Sequence, residues 1–97
     1  MRRAAKVDTA HPECVKYLVA AGYSVISLAA VGKGCPDLLV ARNGRAMLME
    51  VKSPKREKAH PDVLARQALW RARWRGPEVP TVRSGVEALE AAMAGLK

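Results

Sequence analysis

Phenylalanine is missing from this 97-residue chain, and two tryptophans and two tyrosines supply all of its aromatic bulk. Cysteine occurs twice, as Cys14 and Cys35, too few for a disulfide framework and without the paired spacing of a zinc site. Cys14 reads as a small hydrophobe on a helix face and Cys35 as a small loop residue. His11 and His60 stand alone in sequence, which argues against a histidine-built metal centre; an oxygen-ligand site for a hard cation fits better. No apolar run approaches the roughly 18 residues of a spanning helix. The start, Met1 to Lys6, is polar and basic with no apolar stretch behind it. Neither a secretory leader nor a membrane anchor is therefore expected, and cytosolic residence is the default.

Acidic residues are also scarce: nine against seventeen lysines and arginines, for a net charge of +8. The placement of that charge says more than its size. Residues 52 to 75 carry eight bases (Lys52, Lys55, Arg56, Lys58, Arg66, Arg71, Arg73 and Arg75) against Glu57 and Asp62. Cations at this density attract polyanions and release counterions on binding. The plain alternative is a solvated basic helix that keeps the chain soluble. Length allows one domain, residues 1–97, near the small end of what folds without staples.

What is present begins with Asn43-Gly44, the preferred pair for a type I′ turn because both central residues need positive φ. It predicts a hairpin of strands 37–41 and 46–52. Facing residue numbers then sum to 87, so that Leu39 opposes Leu48 and Asp37 opposes Glu50. Like charges directly opposite each other are destabilising unless a divalent cation sits between their oxygens. Lys52, two residues beyond Glu50, leaves the same face of its strand. Two carboxylates and an ammonium group on one face make a candidate metal-dependent active site. Against this stands an edge hairpin whose Glu50–Lys52 pair is only a surface ion pair.

Around the hairpin the order reads α-β-β-β-α-β-α. Residues 1–10 form a basic arm. A helix over 12–21 starts at Pro12 and closes at Gly22, and residues 23–29 read as a strand. The stretch 31–36, rich in glycine, is a loop and no Walker motif, because no Gly-Lys-Ser/Thr follows and a strand comes next. Residues 53–60 form a charged loop. Pro61 starts a helix to about Arg75, stopped by Gly76-Pro77; residues 79–83 make a short strand and 86–93 a last helix exposing Glu87 and Glu90. On the helix from Pro61, the residues Val63, Gln67, Trp70 and Trp74 share one stripe. An amide amid apolar neighbours needs a partner, because burying it unpaired costs about 1–3 kcal/mol. That partner is either a strand backbone or the carboxylate site. Arg66 and Arg71 flank the stripe, in reach of a phosphate backbone.

Gly34-Cys35-Pro36-Asp37-Leu38-Leu39, then Met49-Glu50-Val51-Lys52, then Gln67 on a tryptophan-bearing helix together resemble the PD-(D/E)xK nuclease pattern. More narrowly, they resemble the virus-type replication-repair nuclease (VRR-NUC) domain, in order and spacing over roughly residues 10–93. The resemblance implies a restriction-endonuclease-like α/β core, a small mixed sheet flanked by helices. It implies Asp37 and Glu50 as ligands of Mg²⁺ or Mn²⁺ joined by the Val51 carbonyl, Lys52 as the catalytic lysine, Gln67 beside the site, and Glu13 approaching the metal directly or through water. It implies cleavage of DNA phosphodiesters, selective for branched, flap or Holliday-junction-like structures in phage or bacterial replication and repair, by a homodimer without a small-molecule cofactor. The departure at His60-Pro61-Asp62, where relatives show a Leu-Thr-like helix start, bears on the loop and not on the ligands. Lys33, Lys55, Arg56, Lys58, Arg66 and Arg71 are the expected DNA contacts. Rival expectations are a non-catalytic nucleic-acid-binding module and the cleavage subunit of a restriction system.

Overall fold

The computed structural model describes residues 10–53 and 61–96. The expected basic arm (residues 1–9 of it) and most of the charged loop, with Lys55, Arg56 and Lys58, lie outside the described residues. The described chain is a small α/β fold: three helices and a four-stranded mixed sheet of order β1-β2-β3-β4. Helix α1 spans Ala10–Ala20, strands β1 to β3 span Ser24–Ser27, Leu38–Arg42 and Arg45–Val51, helix α2 spans Pro61–Arg73, strand β4 spans Thr81–Val82 and helix α3 spans Gly85–Gly95. The element order is the expected one. Strands β1 to β3 run antiparallel in succession, and β4 joins β3 in parallel.

Local chemistry sets most boundaries. Gly22, at φ +96, closes α1 with paired bonds from its own N–H to the Val19 carbonyl and from the Tyr23 N–H to the Leu18 carbonyl. This is the left-handed cap that glycine makes without strain. Asn43 and Gly44 adopt φ of 54° and 79°, and Arg42 pairs with Arg45, Leu39 with Leu48. The two-residue type I′ turn therefore fixes the register. Strand β4 is shorter than the expected 79–83. Pro80 has no N–H to give a ladder, although its carbonyl accepts from Glu50 N–H at 2.9 Å. Ser84 caps α3 by accepting the Glu87 N–H, while the Glu87 side chain accepts from Arg83 N–H.

Alternation along the hairpin divides its two faces. Leu38, Val40, Met47, Met49 and Val51 are buried against α1 and α3, in a core completed by Cys14, Leu18, Tyr23, Val82, Ala88 and Ala92. Burying each larger aliphatic side chain contributes about 1.5–3 kcal/mol, so this face carries the stability. Close approach is built in where Gly85 meets the Tyr17 ring; a Cβ there would lie 2.5 Å from it. The opposite face bears Asp37, Leu39, Leu48, Glu50 and Lys52. Helix α2 reaches this side by contacts from Gln67, and none of its thirteen residues is buried. Asp62 in its first turn and Arg71 and Arg73 in its last complement the helix dipole.

Candidate active site

The site lies at the open end of the hairpin, where β2 stops and β3 continues. Asp37 sits one residue before β2, where the regular pairing ends: its N–H donates to the Met49 carbonyl at 3.0 Å on the β3 side, and its carbonyl accepts from Leu28 N–H at 2.7 Å on the β1 side. The Asp37 side chain then takes over, with Oδ2 accepting the Val51 N–H at 2.8 Å. A strand residue directs its N–H and C=O to the same edge, so the Val51 carbonyl leaves toward Asp37 as well. Glu50 and Lys52 turn their own amides the other way, to the Pro80 and Val82 carbonyls of the β4 side. Both side chains are thereby fixed on the face that carries Asp37.

Glu50 is buried, at 5% exposure. Burial, the adjacent Asp37 charge and a hydrogen bond to Asp37 that the protonated form makes push its carboxyl from 4.5 up to about 7, with Lys52 and Arg71 opposing the shift. Gln67 ties the cluster together from α2. Its Nε2 donates to Glu50 Oε2 at 3.1 Å, and its Oε1 accepts from Lys52 Nζ at 3.2 Å. The partner of this amide is the carboxylate–lysine pair, not a strand backbone. Asp37 and Gln67 also line a cavity of about 320 Å³ with Lys33, Cys35 and Arg66. Burial and the charges of Asp37 and Glu50 raise the Cys35 thiol pKa, which keeps it protonated.

Gly34 explains how α2 comes so close. At φ +83 it lies against the backbone of Arg66 and Gln67, and a Cβ there would collide with the Arg66 carbonyl. Glycine is thus required twice over, by conformation and by space. The loop docks the helix and so positions Gln67.

Other sequence-derived residues fall elsewhere. Glu13 accepts the Gly85 N–H at 2.8 Å, where its charge complements the N-terminus of α3. Among the described residues no group of three or more His, Cys, Asp or Glu side chains gathers around one point, so Glu13 does not join Asp37 and Glu50. Arg71 is also engaged within the fold: its guanidinium donates to the Val79 carbonyl at 3.0 Å and approaches Thr81 Oγ1 at 3.5 Å. It is a clamp between α2 and β4, a role that the helical wheel alone did not reveal. Lys33 and Arg66 do lie together, on the rim shared by the cavity above and a neighbouring groove. That groove adds Trp70, Arg73 and Trp74, which sequence reasoning had not assigned to a site. The signal was the second stripe of α2, Arg66, Trp70, Arg73 and Trp74, at spacings of four, three and one.

Two buried-edge carboxylates, a neighbouring carbonyl and open space fit a hard divalent cation, which is often held by one or two carboxylates with waters and substrate phosphate. Soft-metal sites are a poorer match to this donor set. The raised carboxyl of Glu50 reflects first its burial and then the Asp37 charge, which Lys52 and Arg71 offset only in part. No protein-family model, curated protein or solved structure matches the chain. None of its described helices is long and apolar enough to cross a membrane.

Proposed function

We propose that this chain is a metal-dependent nuclease that hydrolyses DNA phosphodiester bonds, with a PD-(D/E)xK core of the VRR-NUC type. The observation that carries the reading is the packing of Asp37 against Glu50 on one sheet face, with Gln67 hydrogen-bonded to both Glu50 and Lys52. Asp37, Glu50 and the Val51 carbonyl would hold Mg²⁺ or Mn²⁺, which when bound polarises a phosphoryl oxygen and lowers the pKa of its water. Lys52 supplies a fixed ammonium group for the charge that develops on the phosphate. Gln67 holds Glu50 and Lys52 at a set separation. Lys33 and Arg66, on the cavity rim, hold substrate phosphates. With so small a footprint, a symmetric homodimer would present two such sites to two strands of branched DNA in phage or bacterial replication and repair.

The purified chain with Mg²⁺, Mn²⁺ or EDTA, offered duplex, single-stranded, flap and four-way-junction DNA, tests the proposal. Cleavage is expected with either metal and abolished by EDTA. Asp37→Asn and Lys52→Ala are expected to lose roughly 100-fold or more in rate while keeping DNA binding. Unchanged cutting by those variants would trace the activity to a contaminant, and binding without metal-dependent cleavage of any substrate would leave a nucleic-acid-binding module. Light scattering at working concentration reads the dimer; a monomeric mass removes that part.

A further inference from the structure

Beside the carboxylate cavity, α2 and the glycine loop enclose a groove of about 500 Å³ lined by Lys33, Arg66, Leu69, Trp70, Arg73 and Trp74. Trp70 and Trp74 stack on each other, with ring centroids 4.9 Å apart and planes 22° from parallel. Neither indole enters the core; both remain half-buried, and Leu69 beside them is 58% exposed. Trp74 is nonetheless held rigidly. Its Nε1–H donates to the Pro77 carbonyl at 2.7 Å, and its ring lies so close to Gly76 that a Cβ there would overlap it. A fixed aromatic platform costs little entropy to use. Cations stand on both sides of it: Arg66 and Arg73 are seven residues apart on one helix, about 10 Å along its axis, and Lys33 comes from the loop.

We propose that this groove is a stacking subsite for an unpaired DNA strand, leading it into the carboxylate cavity. Lys33 and Arg66 line both, so the groove adjoins the cavity that Asp37 and Gln67 line. Stacked aromatics within a basic groove bind single strands because each base offers its face to the rings while the phosphates meet the cations. In a duplex those faces are covered by neighbouring bases. The groove thus selects substrates with a single-stranded segment next to the bond that is cut. The identification of DNA as ligand rests on the nuclease reading; the preference for unpaired bases rests on the groove itself.

Trp70 and Trp74 are the chain's two tryptophans, so tryptophan emission, excited where tyrosine does not absorb, reports on this groove alone. In EDTA, where no cleavage intervenes, oligothymidylate is expected to quench the emission strongly and a blunt duplex of equal phosphate number only weakly. Stacking is worth about 1–3 kcal/mol per base, so Trp70→Ala should weaken oligothymidylate binding by about 5- to 140-fold, read by anisotropy of a labelled strand. Duplex affinity should change less than about twofold. Trp70→Phe should restore most of the loss, and Arg73→Ala should flatten the salt dependence by about one unit of slope. No side chain of α2 is buried, so these variants spare the core, and circular dichroism checks that they do. Equal quenching by duplex and single strand, or a Trp70→Ala protein that binds oligothymidylate normally, overturns the proposal even where the chain cuts DNA. Binding as described without metal-dependent cleavage leaves the groove standing and removes the nuclease.

Discussion

Replacing Glu50 by glutamine isolates the electrostatics of the site. The amide has the shape of the protonated carboxyl: it can donate to Asp37 and still accept from Gln67 Nε2. The native carboxyl titrates at about 7 when folded, against 4.5 as its ordinary value. Over that interval the folded state keeps a proton that the unfolded state has released, so folding stability falls as pH rises and levels off above about 7. The interval is worth about 3 kcal/mol at 1.36 kcal/mol per pH unit. Glu50→Gln has no such proton to lose. Urea denaturation of both proteins in EDTA, from pH 4 to pH 8.5, is the assay. The variant's stability relative to the native chain should climb by about 3 kcal/mol across the range, a melting difference of roughly 15 °C for a domain of this size. Millimolar Mg²⁺ should stabilise the native chain at pH 8 and leave the variant nearly unmoved, because a cation held by both carboxylates favours their ionised form. Parallel stability curves for the two proteins would refute the burial of an acid pair here.

Gly34→Ala should push α2 off the site, because the new methyl meets the Arg66 carbonyl at a φ that alanine also resists. Cleavage should fall well over tenfold, and Trp emission, which reports α2, should change. Arg71→Ala should cost about 1–3 kcal/mol in urea denaturation by leaving the Val79 carbonyl without its donor, with little loss of DNA affinity. The reverse pattern, intact stability and poor binding, would restore Arg71 to the DNA surface. Gln67→Ala should lower kcat roughly 10- to 100-fold with KM nearly constant, since it positions Glu50 and Lys52 without holding substrate phosphate; an equal effect on KM would argue for direct contact.

The hairpin was legible because its determinant is local: Asn43-Gly44 sets the turn, and alternation then assigns every side chain of both strands to a face. The faces of Glu50 and Lys52 follow without knowledge of the rest of the fold, whereas Asp37, expected in β2 opposite Glu50, lies one residue outside the strand and bonds the Met49 carbonyl. Gln67 was legible as an anomaly, a polar residue within an apolar stripe, although only the structure distinguishes its two possible partners. Arg71 and Glu13 have partners within the fold that the sequence does not signal, for a common reason. Each is satisfied by a backbone group far along the chain or across a helix end, Val79 and Gly85, and neither pairing has a periodic signature. The tryptophan groove is hidden in the sequence because Trp70 and Trp74 also fit the apolar stripe with Val63. A helix with no buried residue presents two functional faces, and the sequence spacing fits both. Strand β4 was overestimated at its ends, where Pro80 interrupts the ladder on one side.

The tight turn at Asn43-Gly44 also makes the chemistry hostage to counting. One added residue in either arm of the hairpin, even at a solvated position several residues from the acids, would invert the parity of everything beyond it. Glu50 and Lys52 would turn into the apolar interior, or Asp37 would, and Met49 would come out to water. Two added residues in one arm would keep the faces but slide the partners, bringing Leu48 toward Asp37 if they enter β3 and Lys52 if they enter β2. Length changes that shift the pairing beyond the turn are therefore forbidden here, although substitutions at the tip, among Arg42, Asn43 and Arg45, leave the distant charges aligned so long as the left-handed pair survives.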